Sequence, residues 1–340
     1  MNRRRWNTVF TLLGATVFAA YLVYTNPFKV LVELNGFNLR VFVAAVLVNY
    51  VGLFFLAASW HVILGVLGVR LSVWRSIQMT FVSLFAVWVL PIPSGVEIVR
   101  AYLVKDEEGS SIGKAVSSVV ISKAYYFTAF GALITLAAVM VTMVQGSAIP
   151  VDARYVWFVV AYAILNTLVF GVVMTPKALL YIYDKSPARV RKHLLDRIYR
   201  DRSSLDGFER FVGEVGAALK SLRASPGLNL LSLLLVAFHW STGSITAYMV
   251  ALSLGYQISF WVIVLIYAVV EFIQQLNVVI PGGLGVVDVG LAGAFVVVGV
   301  PLSVASAISL LTRLATYWFE LILCGLVSFQ YGYREALKNL

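Results

Sequence analysis

Two short strings hold the residues of this chain best suited to chemistry. VLPIPSGVEIV, residues 89–99, lies over VIPGGLGVVDV, residues 279–289, with Pro91 on Pro281, Gly95 on Gly285 and Val96 on Val286. An acid follows each glycine, Glu97 in the first string and Asp288 in the second. Lys123 comes 28 residues after Gly95, and Arg313 comes 28 residues after Gly285. Tyrosines follow both cations, at Tyr125, Tyr126 and Tyr317. A helix that starts after a Gly-containing turn presents unpaired N–H groups and the positive end of its dipole, a setting for phosphate or carboxylate. Glycine also lets backbone approach a ligand closely, since no Cβ intervenes. The chemistry these residues suit is recognition of an anionic group. Gly95, Glu97, Arg100 and Lys123 form one candidate set, and Gly282, Gly283, Gly285, Asp288 and Arg313 the other. A guanidinium fork fits phosphate oxygens better than a point charge, which favours Arg100 and Arg313 as the direct contacts.

Glu271 and Glu320 complete the candidates, and their role is less distinct. They balance the cations, bind a cationic group or carry a coupling proton; the plainer reading is that acids and bases pair to hold the chain together. Arg313 and Glu320 are seven residues apart, which puts them on the same side of one helix. His61 and His239 stand beside Trp60 and Trp240 within apolar runs, where a lone histidine serves as a helix-to-helix hydrogen bonder. Gln274, Gln275 and Asn277 precede the Pro-Gly-Gly turn and suit either a ligand or the broken backbone itself. No Walker loop, His-Glu-x-x-His site or Gly-x-Ser-x-Gly elbow occurs, and the histidines are scattered at 61, 193 and 239. No catalytic residue, cofactor or metal is assigned, and no enzyme activity is expected.

The elements that must position these residues are membrane helices. Of the 340 residues, 61% are hydrophobic and 12% charged, with mean hydropathy +0.89, where soluble domains carry about 25% charged residues. Six segments have the length of a bilayer crossing: roughly 6–25, 41–68, 115–144, 155–175, 228–254 and 303–331. The first follows Arg3–Arg5 and reads as a retained anchor rather than a cleaved signal. The net charge of +10 gathers in loops, as orientation signals do, and no recognition motif accompanies it, so nucleic acid is not an expected partner. Cys324 is the single cysteine and excludes an internal disulfide.

Two further apolar stretches are broken. Residues 76–100 turn at Pro91-Ile92-Pro93-Ser94-Gly95 and continue into charged sequence. A full crossing there would place the 177–225 connector, with its eleven Lys/Arg residues, outside the cell. The cytoplasmic bias of Lys and Arg opposes that, so 76–100 reads as a re-entrant hairpin. Residues 258–300, broken at Pro281–Gly285, read equally as one re-entrant loop or two crossings. Both termini are then cytoplasmic, and stretch 203–223 of the connector is a candidate amphipathic helix on the inner leaflet. Each unit runs span, broken element, long span: 41–144 and 228–331. The first starts outside and the second inside, so the two are inverted copies, the arrangement that places a transporter's site at the paired breaks. The expected fold is all-α: a single polytopic membrane domain over 1–340, with about six transmembrane helices and two re-entrant helical hairpins in an inverted repeat.

The Pro91…Gly95-Val96-Glu97…Arg100 and Pro281-Gly282-Gly283-Leu284-Gly285…Asp288 segments resemble the two signatures of the lysylphosphatidylglycerol synthase transmembrane family, the flippase-like proteins. The likeness runs from about residue 5 to 331, with Val96 where a second glycine is common and Asp288 where glutamate is usual. It implies movement of a polar-headgroup lipid, a phospholipid or a polyisoprenyl-phosphate-linked lipid, between leaflets of the cell membrane. Multidomain relatives carry an aminoacyl-transferase domain; the chain stops at Leu340, so lipid aminoacylation is not expected. The implied partners are membrane lipids. Two alternatives stand beside this: a secondary transporter of a small anion, and a membrane partner of a lipid-modifying or glycosyl transferase.

Overall fold

Leu39, Val43, Leu47 and Val51 recur every four residues and face outward, while Asn49, Ser59 and Trp60 on the same helix are buried. That helix, α3 (Leu39–Val66), thus shows hydrocarbon on its outer side and keeps an amide and a hydroxyl inside, the pattern of a helix solvated by lipid. Asn38 starts it, its side-chain oxygen accepting from the N–H groups of Arg40 and Val41 at 3.1 and 3.3 Å.

The computed structural model describes residues 15–89, 95–105, 107–144, 204–276 and 280–338, with scattered positions between 157 and 187. Before α3 come α1 (Ala15–Tyr24) and the short α2 (Pro27–Val32). After it come α4 (Val73–Val89), α5 (Gly95–Val104) and α6 (Ile112–Val144). The later elements are α7 (Ser204–Ala224), α8 (Pro226–Ser253), α9 (Phe260–Leu276), a 3₁₀ turn (Pro281–Gly283), α10 (Val286–Val297) and α11 (Leu302–Arg313). A π-helical turn (Leu314–Trp318) joins α11 to α12 (Phe319–Lys338). The described secondary structure is entirely helical, and the chain is an integral multi-pass membrane protein.

Among the described residues, four helices are long and apolar enough to cross a bilayer: α3, α6, α8 and the continuous run Leu302–Gly332. They correspond to four of the six segments read from sequence. The described part of the first segment is only α1, and most of 155–175 lies outside the described residues. Both broken elements are short. α4 and α9 have 17 residues each, about 25 Å of rise against a hydrocarbon core of about 30 Å. α4 packs on α5 and α9 on α10, while the 3₁₀ turn comes against α4. Residues 90–94 and 277–279, including Pro91, Pro93 and Asn277, lie outside the described residues.

α3 and α8 form the central pair. Asn38 N–H donates to Ser253 O, Thr246 Oγ1 donates to Ala45 O, His239 Nδ1 meets Gly52 O, and Ser59 and Ser232 exchange bonds through hydroxyls and carbonyls. Each contact is seven residues up α3 and seven down α8 from the last, so the helices are antiparallel with a coiled-coil repeat. Small residues at these positions let the backbones close. The ladder is centred on the Gly52–His239 contact.

α7 fills the expected amphipathic stretch, but its apolar face does not lie free for the leaflet. Phe211, Val212, Val215, Ala218 and Leu222 are buried against α6 and its neighbours. Glu214 closes the contact by accepting from Ser111 Oγ and Gly113 N–H, both at 2.7 Å, at the start of α6. A Cβ on Gly113 would overlap the Glu214 side chain. Gly113→Ala is therefore expected to lower stability by about 1–3 kcal/mol, the usual cost of overpacking. Thermal unfolding in detergent checks it, and Gly113→Ala/Glu214→Ala should recover part of the loss. A single variant that melts with the parent would count against this contact.

Candidate functional site

The second break is a closed polar cluster. Gly282, Gly283 and Gly285 have φ of 58°, 65° and 80°, left-handed values that side chains with a Cβ resist. The turn they make aims Gly285 N–H at Asp288 Oδ2, 2.9 Å away. The other oxygen of Asp288 accepts from Arg313 Nε at 3.3 Å, and Arg313 Nη2 donates to Gly282 O at 2.7 Å. Ser309 Oγ donates to Asp288 O, tying α11 to α10. Tyr317 lies beneath the guanidinium, 4.4 Å from its carbon to the ring centroid, and meets Trp88 of α4 edge-on at 5.2 Å. The Asp288 and Arg313 side chains are only 4% and 5% exposed. The anion expected at the helix start after Gly285 is thus supplied by the chain itself.

The first break is built differently. Glu97 pairs with Lys123 at 2.9 Å, each side chain about a quarter exposed (23% and 25%). Lys123 also lies over the Tyr126 and Phe127 rings. Arg100 therefore keeps no direct ion pair with Glu97. It is buried, its carbon 5.1 Å from the Trp60 ring centroid, and Nε donates to Ser83 Oγ at 3.3 Å. Its Nη2 is buried without a hydrogen-bond partner among the described residues. Gly95 opens α5. Glu271 falls on α9, and its side chain lies outside the described ones.

Glu320 departs from the expected geometry. Two α-turns would set it above Arg313, but the π turn between them holds an extra residue, about 100° of rotation. Arg313 faces the Gly-rich break, while Glu320 Oε1 accepts from Asn49 Nδ2 of α3 at 2.7 Å. Asn49 also reaches Ala315 O, a carbonyl within the widened turn, at 3.3 Å. The structure therefore gives Glu320 an amide partner rather than the Arg313 cation.

α4 stands between the two clusters, with Ser83 on Arg100 and Trp88 on Tyr317. Sequence reasoning passed over Ser83, Trp88 and Asn49. The available signal was the recurrence of Ser76, Thr80 and Ser83 at helical spacing within an otherwise apolar run. The histidines behave as lone intramembrane histidines should, His61 bonding Ser76 Oγ and His239 bonding Gly52 O, each 3.0 Å across a helix pair.

These breaks and the long helices around them fall within a known family region: residues 11–324 match the lysylphosphatidylglycerol synthase TM region. The chain belongs to that family. Membership takes in both Gly-rich strings and every crossing helix except the end of α12. A UPF0104 membrane protein of Methanothermobacter thermautotrophicus is 22% identical over 329 residues, covering 95% of this chain and 93% of its own. A UPF0104 membrane protein of Pyrococcus horikoshii is also 22% identical, over 325 residues, covering 93% and 94%. Both similarities extend over nearly the full length of the two chains compared.

Proposed function

We propose that this chain moves a lipid with a phosphate-bearing headgroup between the leaflets of the cell membrane, without chemical change to it. The observation that carries the reading is Arg100: a buried guanidinium with one nitrogen unmet, at the mouth of a broken helix. A buried donor without an acceptor costs about 1–3 kcal/mol, more when charged, and a phosphate oxygen at Nη2 removes that cost. Arg313, neutralised by Asp288, is the second station on the other side of α4. There a headgroup competes with an internal carboxylate, which keeps binding weak enough to release. Lys123 and the glycines of both breaks line the way, Glu97 and Asp288 hold the cations while they are empty, and Glu271 and Glu320 supply the remaining charge. The acyl chains stay in the bilayer throughout.

The α3–α8 contacts support the companion proposal that 41–144 and 228–331 are inverted copies around one axis, each with a re-entrant element. The 177–225 connector and both termini then face the cytoplasm, where Lys and Arg are favoured. Membrane lipids are the partners, with a lipid-modifying enzyme as a source or consumer of the headgroup.

Liposomes holding the purified protein and a headgroup-labelled phospholipid test this, by the rate at which label leaves the inner leaflet. Arg100→Gln is expected to slow exchange by about 10- to 150-fold, the worth of a charge-assisted hydrogen bond, with Arg100→Lys intermediate because it lacks the fork. Exchange unchanged in Arg100→Gln would remove the central claim. Phosphate uptake without lipid exchange would assign the site to a small anion.

A further inference from the structure

α4 carries a line of hydroxyls that its counterpart lacks. Ser76, Thr80 and Ser83 are spaced by four and three residues, so they share one helix face, and all three are buried. α9, the matching element in the second unit, reads FWVIVLIYAVVEFIQQL and has no hydroxyl but its tyrosine. The ends of the α4 line are fixed by contacts. Ser76 Oγ meets His61 Nδ1 of α3 at 3.0 Å, and Ser83 Oγ accepts from Arg100 of α5 at 3.3 Å. The line therefore runs in the seam of α3, α4 and α5, over about 10 Å of helix rise.

His61 is half-buried and lies near the end of α3, whereas Arg100 is 5% exposed. Between them Thr80 Oγ1 is buried with no hydrogen-bond partner, and so is Arg100 Nη2. Buried polar groups are nearly always partnered by protein or by ordered water. Two orphans on one hydroxyl-lined seam that runs inward from a half-exposed histidine mark a place where water or a polar ligand belongs. Ser76 and Ser83 have helix-to-helix and backbone partners that account for them, whereas Thr80 Oγ1 has none and is the group that packing leaves unexplained.

We infer that the α3–α4–α5 seam is a hydrated passage by which a phosphate group reaches Arg100 from the His61 end, along Ser76, Thr80 and Ser83. The inference rests on the proposed function for its direction of traffic and gives that function a one-sided entrance. Ser83 Oγ donates to Thr80 O at 2.7 Å and Ser76 Oγ to Ser72 O at 3.4 Å, so each hydroxyl exchanges a backbone bond for one to phosphate, and the phosphate passes along without losing all its hydrogen bonds at once. Trp60 forms the floor and takes no part as a donor, because its N–H is committed to Ser118 Oγ.

Cysteine chemistry tests the passage independently of transport. With Cys324, the only cysteine, replaced by serine, Thr80→Cys and Ser83→Cys are made singly, and Val82→Cys serves as a control on another face of α4. The full-length proteins are reconstituted and exposed to an anionic, membrane-impermeant methanethiosulfonate. The thiolate attacks the sulfenyl sulfur of such reagents and expels methanesulfinate, and it forms only where water takes the proton, so a thiol in dry surroundings stays inert. Both stripe positions are expected to react at least about tenfold faster than Val82→Cys, following that difference in thiolate formation. Millimolar inorganic phosphate or glycerol phosphate should slow them, and should fail to do so when Arg100→Gln is added. Should Ser83→Cys fold poorly by gel filtration, Thr80→Cys and Ser76→Cys carry the test. Stripe positions as inert as Val82→Cys overturn the passage, whatever the lipid assay gives. Reactive, phosphate-protected positions in a protein that moves no lipid keep the passage and overturn the lipid reading. Protection that needs phospholipid identifies the headgroup as the occupant, and protection by free phosphate alone identifies the solute.

Discussion

Alanine at position 282 is expected to destabilise the protein by about 3 kcal/mol, combining the cost of overpacking with that of a left-handed residue bearing a Cβ. Gly282 has φ 58°, and a Cβ built there lands on the Tyr317 ring at Cε2, Cζ and the hydroxyl. An exposed tyrosine would swing aside. Tyr317 cannot do so cheaply: it is 3% exposed, with Arg313 over its face and Trp88 against its edge. Displacing it also disturbs Gly282 O, which accepts from Arg313. Thermal unfolding in detergent should show the loss, and lipid exchange should fall with it. In a Tyr317→Leu background the steric part disappears and only the backbone part, about 1–2 kcal/mol, remains. Equal penalties in both backgrounds would show that the ring is not the obstacle.

Asp288→Ala is expected to have a comparable or larger effect for a different reason. It leaves the Arg313 guanidinium buried with only a carbonyl acceptor, and removing one partner of a buried pair costs about 3–5 kcal/mol. It also frees Gly285 N–H at the start of α10. Asp288→Asn should fall between, since its amide oxygen still accepts one hydrogen bond. The double variant Asp288→Ala/Arg313→Leu removes both charges and should recover much of the stability, because buried pairs seldom outweigh apolar packing. Exchange of labelled lipid should stay low in the double variant if Arg313 serves transport. Recovery of both stability and exchange would assign the pair to structure alone.

The sequence made the breaks legible because they need residues with unusual backbone freedom. Only glycine tolerates three left-handed positions in a row of four, so Pro281–Gly285 announced its turn directly. The equal spacing to Lys123 and Arg313 also located residues that do stand at the two breaks. What could not be read was which acid answers which cation. Pairing is set by side-chain directions, and the LATYW turn between Arg313 and Glu320 contains nothing that signals a π-helix. An α-helical wheel therefore placed Glu320 by Arg313 rather than Asn49. Asp288 shows a related limit: an acid three residues past a glycine is equally a ligand's rival and a helix cap, and only coordinates show it as the cap. Ser83 and Thr80 were hidden because a hydroxyl within an apolar run is common, and its partner lies on another helix. For α7 the apolar face was visible, but whether lipid or α6 covers it is a tertiary fact.

The contact between Gly52 and His239 has one more implication. On a two-fold axis a residue meets its own equivalent, so identical partners face one another there as a like pair. Two glycines would leave a gap and two histidines would collide, whereas Gly52 presents a bare carbonyl 3.0 Å from the imidazole of His239. A Cβ on Gly52 would run into Thr242, so the position takes no larger residue. The two helices thus meet at the centre of their ladder as lock and key, not as like faces. The joint therefore has a direction: α3 brings the carbonyl and α8 the imidazole, and exchanging the two residues would not rebuild it.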